Sequence, residues 1–170
     1  MTLPSQSNSA GGLEQQQYLT FKLGGEVFAI GILNTREIID YNELTTVPMM
    51  PSFVRGVINL RGSMVPILDL STRFGREETA VGRRTSIVIC EFKPEDETAV
   101  RTFGIIVDAV SEVLDIPAAA IEPAPTFKSS ARSEFIAGMG KVAGEFVIIL
   151  RVDRILAEDE VAALGQLSSP

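Results

Sequence analysis

The 170-residue chain contains no histidine and one cysteine, and these two facts decide which chemistry is open to it. Histidine is the usual proton carrier near neutral pH, so Ser-His-Asp and Cys-His catalysis are excluded. Zinc centres built from cysteine and histidine are excluded with them. Cys90 lies in the apolar run Ile87–Cys90, where a thiol is expected to be buried and inert. Carboxylates are plentiful, but Glu95-Asp96-Glu97 and Glu158-Asp159-Glu160 are consecutive residues that fan outward instead of converging as a catalytic pair does. Asp69 and Asp108 each end or punctuate a strand, and a phosphoacceptor role would need a parallel α/β sheet that this sequence does not suggest. Residues Gly138 to Ala143 spell G-x-G-x-x-A, yet a strand-like run follows, so no helix N-terminus is offered to a pyrophosphate. The P-loop pattern is missing. The reading is a protein that works by binding, with no catalytic residue, metal or cofactor expected.

The residues left for recognition must be positioned by the elements around them, and those elements occur twice. Phe53 to Leu70 (FVRGVINLRGSMVPILDL) holds two apolar runs around Arg61-Gly62 and reads as a hairpin with a charged tip. Phe135 to Val152 (FIAGMGKVAGEFVIILRV) repeats it at an offset of 82, matching Phe53 with Phe135, Gly56 with Gly138 and Gly62 with Gly144. Upstream, Phe28 to Asp40 lines up with Phe103 to Asp115 at an offset of 75, so that Glu37 falls on Glu112 and Asp40 on Asp115. The change of offset places an insertion near Phe127–Glu134. Two blocks in one order argue for two similar halves. Arg61 is the best single candidate for binding, because its counterpart Ala143 carries no charge. Glu37 shares its position with Glu112, so a structural and a binding role compete there.

Taken in order, residues 1–17 are rich in Ser, Gln, Asn and Gly and are expected to form a disordered tail. Tyr18–Leu23 and Glu26–Ile32 read as strands about Gly24-Gly25. Leu33–Tyr41 suits a short helix or a broken strand. Pro48 to Pro51 interrupts regular structure. Pro66 predicts that its strand is at an edge or bulged. Thr85–Phe92 and Arg101–Asp108 are strands flanking an acidic loop, Lys93–Val100, and Pro117–Phe127 mirrors the first proline break. A C-terminal helix is expected over about 153–165, with a tail at 165–170. Many short strands between Gly/Pro turns point to all-β barrels with minor helices, two packed together with a groove along their seam.

Composition agrees with a folded domain, with 45% hydrophobic and 22% charged residues. Arg55, Arg61, Arg73, Arg76, Arg83 and Arg84 share one thirty-residue window, but the net charge of −7 argues against a nucleic-acid backbone as the main partner. Apolar runs such as Phe146–Leu150 are far too short to span a bilayer, and no signal peptide is evident, so a cytoplasmic location is expected.

At FVRGVINLRG (Phe53–Gly62) and VPILDL (Val65–Leu70) the chain resembles the CheW family of chemotaxis coupling proteins. The resemblance continues through Phe28–Ile39, Gly104–Leu114, IEPAPTF (Ile121–Phe127) and Phe135–Leu156, and covers 18–164, which it marks as one CheW-like domain. It implies two SH3-like five-stranded β-barrels that are intertwined. It implies a non-enzymatic adaptor joining the regulatory domain of the histidine kinase CheA to the cytoplasmic tip of methyl-accepting chemoreceptors. Further CheW-like domains in rings are implied as partners, and recruitment to membrane-bound receptor arrays as the location. Carried over by motif, the receptor-groove residues are Thr35, Glu37, Gly56, Arg61, Ser86, Gly104, Val110 and Val113. Val110 and Val113 would bury against apolar receptor residues, and Gly104 would let a receptor backbone approach. Arg61 would pair with a receptor carboxylate, cap carbonyls, or hold Glu37. Thr35 and Ser86 stand where apolar residues are common in the family. A kinase-facing surface is implied around Val47, Met49 and Met50. The acidic loop looks longer than usual. The competing readings are a β-barrel protein that binds nucleic acid, which the net charge opposes, or one that binds or turns over a small molecule, which the missing histidine and convergent carboxylates oppose.

Overall fold

A computed structural model of the chain describes residues 15–93, 100–123 and 135–155. Residues 94–99 of the expected acidic loop, the insertion near Phe127–Glu134 and the expected C-terminal helix from Leu156 onward lie outside the described residues, as does the tail up to Glu14. Five strands and a one-turn helix make the first half: β1 (Gln15–Leu23), β2 (Glu26–Gly31), β3 (Thr35–Asp40), β4 (Val54–Leu60), β5 (Ser63–Leu68) and α1 (Leu70–Arg73). The second half has β6 (Ser86–Phe92), β7 (Arg101–Val107), β8 (Ala109–Pro117), β9 (Ile121–Glu122), β10 (Ile136–Val142) and β11 (Glu145–Leu150), then a 3-10 turn at Val152–Arg154. The first strand reaches back to Gln15, three residues into the expected tail, because Gln15, Gln16 and Gln17 pair with Pro117, Ile116 and Asp115. Leu33–Tyr41 satisfies both readings in turn, with a 3-10 turn at Ile32–Asn34 running into β3.

Strand order is β8-β1-β2-β11-β10-β9 in one sheet and β3-β6-β7-β5-β4 in the other. Matched by the repeat, the second order is the first without β9. The two halves are therefore interleaved. The β1–β2 hairpin of the first half joins β8, β10 and β11 of the second, while the β6–β7 hairpin joins β3, β4 and β5. Parallel pairing at Ile67 and Gly104 recurs between Ile149 and Ala29, and the bulge at Val54/Gly56 recurs at Ile136/Gly138. The fold is all-β with minor helices, and β9 gives one sheet a sixth strand where five were expected. Its counterpart in the other sheet is a single bridge from Thr45 to Val57.

Each sheet surrounds its own apolar cluster. Tyr18, Ala29, Ile116, Val147 and Ile149 fill one, and Val65, Ile67, Ile87, Ile89 and Ile106 fill the other. A third cluster lies between the sheets and holds repeat mates together: Phe28 with Phe103, Ile30 with Ile105, Leu68 with Leu150, and Leu70 with Val152. The single cysteine belongs to this cluster and is fully buried, which pushes its thiol pKa well up. Pro66 sits in an inner strand, not an edge strand. Val57 donates to Thr45 and accepts from it, so its backbone groups face away from Pro66, and no N–H is needed at Pro66 on that side. Pairing of β5 with β7 begins one residue later, at Ile67.

Candidate functional site

Arg61 and Gly62 form the tip of the β4–β5 hairpin, with φ of 53° and 89°. Two consecutive positive φ values make the tight hairpin turn that matches strand twist, and Asn59 Oδ1 accepts from the Gly62 N–H at 2.9 Å. The turn aims the Arg61 side chain at β3. Its Nη1 donates to Glu37 Oε2 at 2.6 Å and its Nη2 donates to Glu37 Oε1 at 3.0 Å. This fork-to-fork geometry is the stronger form of an ion pair. The hydrogen bonds from Arg61 hold the Glu37 carboxyl below its ordinary pKa, and partial desolvation offsets this only in part. The same contacts push the guanidinium pKa up. Strands β3 and β4 are the two ends of their sheet, so the pair ties the sheet's ends together. The Arg61 side chain remains 65% exposed, against 23% for Glu37, and so presents an outer face to solvent.

The other sequence-predicted positions divide by burial. Thr35 is half-buried and its hydroxyl donates to the Gly31 carbonyl at 3.2 Å. Ser86 starts β6, is half-buried, and donates to the Arg84 carbonyl. Val110 packs against the inter-sheet cluster, while Val113 is 47% exposed on β8, the end strand of the other sheet. Gly56 and Gly104 are both buried, and at Gly104, where a receptor backbone is expected to approach, this chain's own side chains crowd the α-carbon. A Cβ at Gly56 would lie 2.6 Å from the Thr45 carbonyl oxygen. One at Gly104 would lie 2.6 Å from Ile67 Cδ1 and 2.8 Å from Ile87 Cγ2. Both glycines answer to packing inside the chain. Of the three residues expected on a kinase-facing surface, Met49 projects fully at φ 65°, Val47 is half-buried, and Met50 packs on the inter-sheet cluster.

Two arrangements escaped the sequence reading. The Asp69 carboxylate is fully buried and accepts from Arg55 at 2.7 Å, from the Ser71 and Thr79 N–H groups, and from the Thr79 hydroxyl. It caps α1 and fastens the segment that follows to the first half. The Arg73 guanidinium lies 4.5 Å from the Phe53 ring centre and 4.9 Å from that of Phe135, two residues that are repeat mates. Its Nε donates to the carbonyl of Ile155, which is Arg73's own mate at the 82-residue offset. Contact between a residue and its own mate marks the pseudo-two-fold relation of the halves. Among the described residues no three metal-ligating side chains converge.

The CheW-like domain family matches residues 17–160. The chain belongs to that family. It is 33% identical to the chemotaxis protein CheW of Klebsiella aerogenes over 166 residues, which is 98% of this chain and 96% of the relative. To the chemotaxis protein CheW of Rhizobium meliloti it is 31% identical over 145 residues, covering 85% of this chain and 90% of the relative. The crystal structure of the scaffolding protein TtCheW from Thermoanaerobacter tengcongensis superposes with a TM-score of 0.76 at 28% identity, covering 86% of this chain and 96% of that one. Among the described residues, no helix is long and apolar enough to cross a membrane.

Proposed function

We propose that this CheW-like chain is a non-enzymatic scaffold of chemosensory signalling. In this reading it joins the cytoplasmic tip of a chemoreceptor to the regulatory domain of the histidine kinase CheA, on the cytoplasmic side of receptor arrays. The observation that carries the reading is likeness over nearly the whole length to proteins named for chemotaxis. The receptor side is assigned to the exposed face of the Arg61–Glu37 pair and to Val113, flanked by Thr35, Ser86 and Val110. Gly56 and Gly104 act there only through the backbone they allow. The kinase side is assigned to Met49, whose full exposure gives an apolar contact at no cost in local packing, with Val47 and Met50 supporting it.

Mixing the protein separately with a CheA regulatory domain and with a receptor cytoplasmic fragment tests this. Saturable binding to both is expected. Met49→Ser should weaken only the kinase pair, and Val113→Ser only the receptor pair. Binding to neither partner would sink the reading and leave the fold intact.

A further inference from the structure

The interleaved strand order has a consequence for how the chain holds together. Among the described residues, four ladders join the two halves: β1 with β8, β2 with β11, β3 with β6, and β5 with β7. Among the described residues, every ladder within a half is a two-stranded hairpin, apart from the two residues of β9 against β10. An isolated hairpin is marginal in water, so neither half has a sheet that stands alone. All three apolar clusters draw residues from both halves. Among the described residues of the first half, β3 has no ladder partner, because its ladder runs to β6.

The covalent connection, by contrast, is thin. Residues up to Thr79 are fastened to the first half by Asp69, and Arg76 pairs with Glu26 of β2. Thr85 is buried at the start of the second half, and its backbone and hydroxyl close a turn with Gly82. Between these anchors the five residues Ala80, Val81, Gly82, Arg83 and Arg84 are all exposed. None of the four joining ladders uses them.

We infer that the two halves are complementary fragments, and that the surface each presents to the other accepts the corresponding half of a second copy of this chain. The linker sets the local concentration of the halves without contributing to the interface, so cutting it leaves the particle assembled. The same interface is the route by which two copies exchange halves.

The test is a protease site inserted between Gly82 and Arg83 of the full chain, with a second variant carrying it between Ala80 and Val81. After cleavage, native mass spectrometry should find both fragments in one particle of intact mass. The Tm should become dependent on protein concentration, which it is not before the cut. When cleaved isotope-labelled and unlabelled proteins are unfolded together and refolded, about half of the particles should carry one labelled half, the statistical result for exchange. Separation of the fragments on cleavage in both variants would overturn the inference. So would a purified single half that unfolds cooperatively by itself, since the halves would then be autonomous.

Discussion

At the tip of β4–β5 the backbone turns through Arg61 and Gly62 at φ 53° and 89°, and at the tip of β10–β11 it turns through Ala143 and Gly144 at 52° and 84°. At the base of each hairpin an amide donates to the carbonyl of the repeated phenylalanine at 2.7 Å, from Asp69 to Phe53 and from Arg151 to Phe135. The backbones are the same and the charges are not. The first hairpin has Arg61 on Glu37 and Arg55 on Asp69. At the matching positions the second has Ala143, Glu112, Ala137 and Arg151. Its cations make other contacts, Arg151 with Asp153 at 3.4 Å and Lys141 over the Phe146 ring at 5.9 Å. Positions fixed by sterics have stayed alike, because a turn or a close approach admits few residues. The two arginines that hold ion pairs at the first hairpin are alanines at the matching positions of the second, so the charge differs within a nearly symmetric frame.

The sharpest way to break this comparison is at the hairpin bases. Removing the Asp69 carboxylate takes the counter-charge from the partly buried Arg55 and orphans the Ser71 and Thr79 amides, so Asp69→Ala should cost about 3–5 kcal/mol in urea unfolding. Arg151→Ala, at the matching but exposed position, should stay within about 0.5 kcal/mol of the parent. Equal losses would mean that the buried node is not what distinguishes the halves.

Arg73 belongs to neither half alone. Its two aromatic faces and its bond to Ile155 predict that Arg73→Ala costs about 2–3 kcal/mol, with the loss appearing mainly as faster unfolding if the halves dock late. Arg73→Lys keeps the charge but loses the planar stacking, and should recover less than half of the loss. Stopped-flow unfolding in guanidinium separates the two variants.

Glycine offers a comparison in which the halves should agree. A Cβ at Gly56 meets the Thr45 carbonyl oxygen at 2.6 Å, and one at Gly138 meets the Glu122 carbonyl oxygen at 2.8 Å. Backbone cannot swing aside as a side-chain end can, so Gly56→Ala and Gly138→Ala should each cost about 1–3 kcal/mol by thermal unfolding. If one of them is neutral, the chain crossing that hairpin is loosely held and the symmetry ends there.

Much of this frame is legible in the sequence, because glycines and alternating apolar residues report local geometry. The repeat, both hairpins, their turns and the proline breaks all follow from such local signals. The interleaving does not, since β2 carries the same pattern whether β5 or β11 lies beside it. The burial of Gly104 is illegible for a related reason. The whole run from Phe103 to Val107 is buried, so alternation cannot tell which side of the strand a residue serves. Asp69 reads as a strand end because its donors at Ser71 and Thr79 lie in an irregular connection with no periodicity. Arg61 on Glu37 is one of three partners the sequence leaves open for Arg61, and the choice depends on how β3 and the β4–β5 tip meet, which neither neighbourhood states.

The smallest expected effect lies at the exposed tip, and its pH dependence identifies it. In the folded chain the Arg61 hydrogen bonds hold the Glu37 carboxyl below its ordinary 4.5. The pair's contribution is therefore fully present above that value and is lost as pH falls through the lowered folded pKa. Arg61→Ala should unfold close to the parent at neutral pH, because exposed ion pairs contribute little. Whatever gap exists should be constant from neutral pH down to the ordinary carboxylate range and should close below it. The mirror variant Ala143→Arg puts a guanidinium at the position matching Arg61, with Glu112 at the position matching Glu37, on a backbone that already has the Arg61 turn angle. It should open a gap of opposite sign over the same pH range. If Arg61→Ala lowers the Tm equally at every pH, the guanidinium acts through packing and not through Glu37, and the charge asymmetry of the two tips is incidental to how the sheet closes.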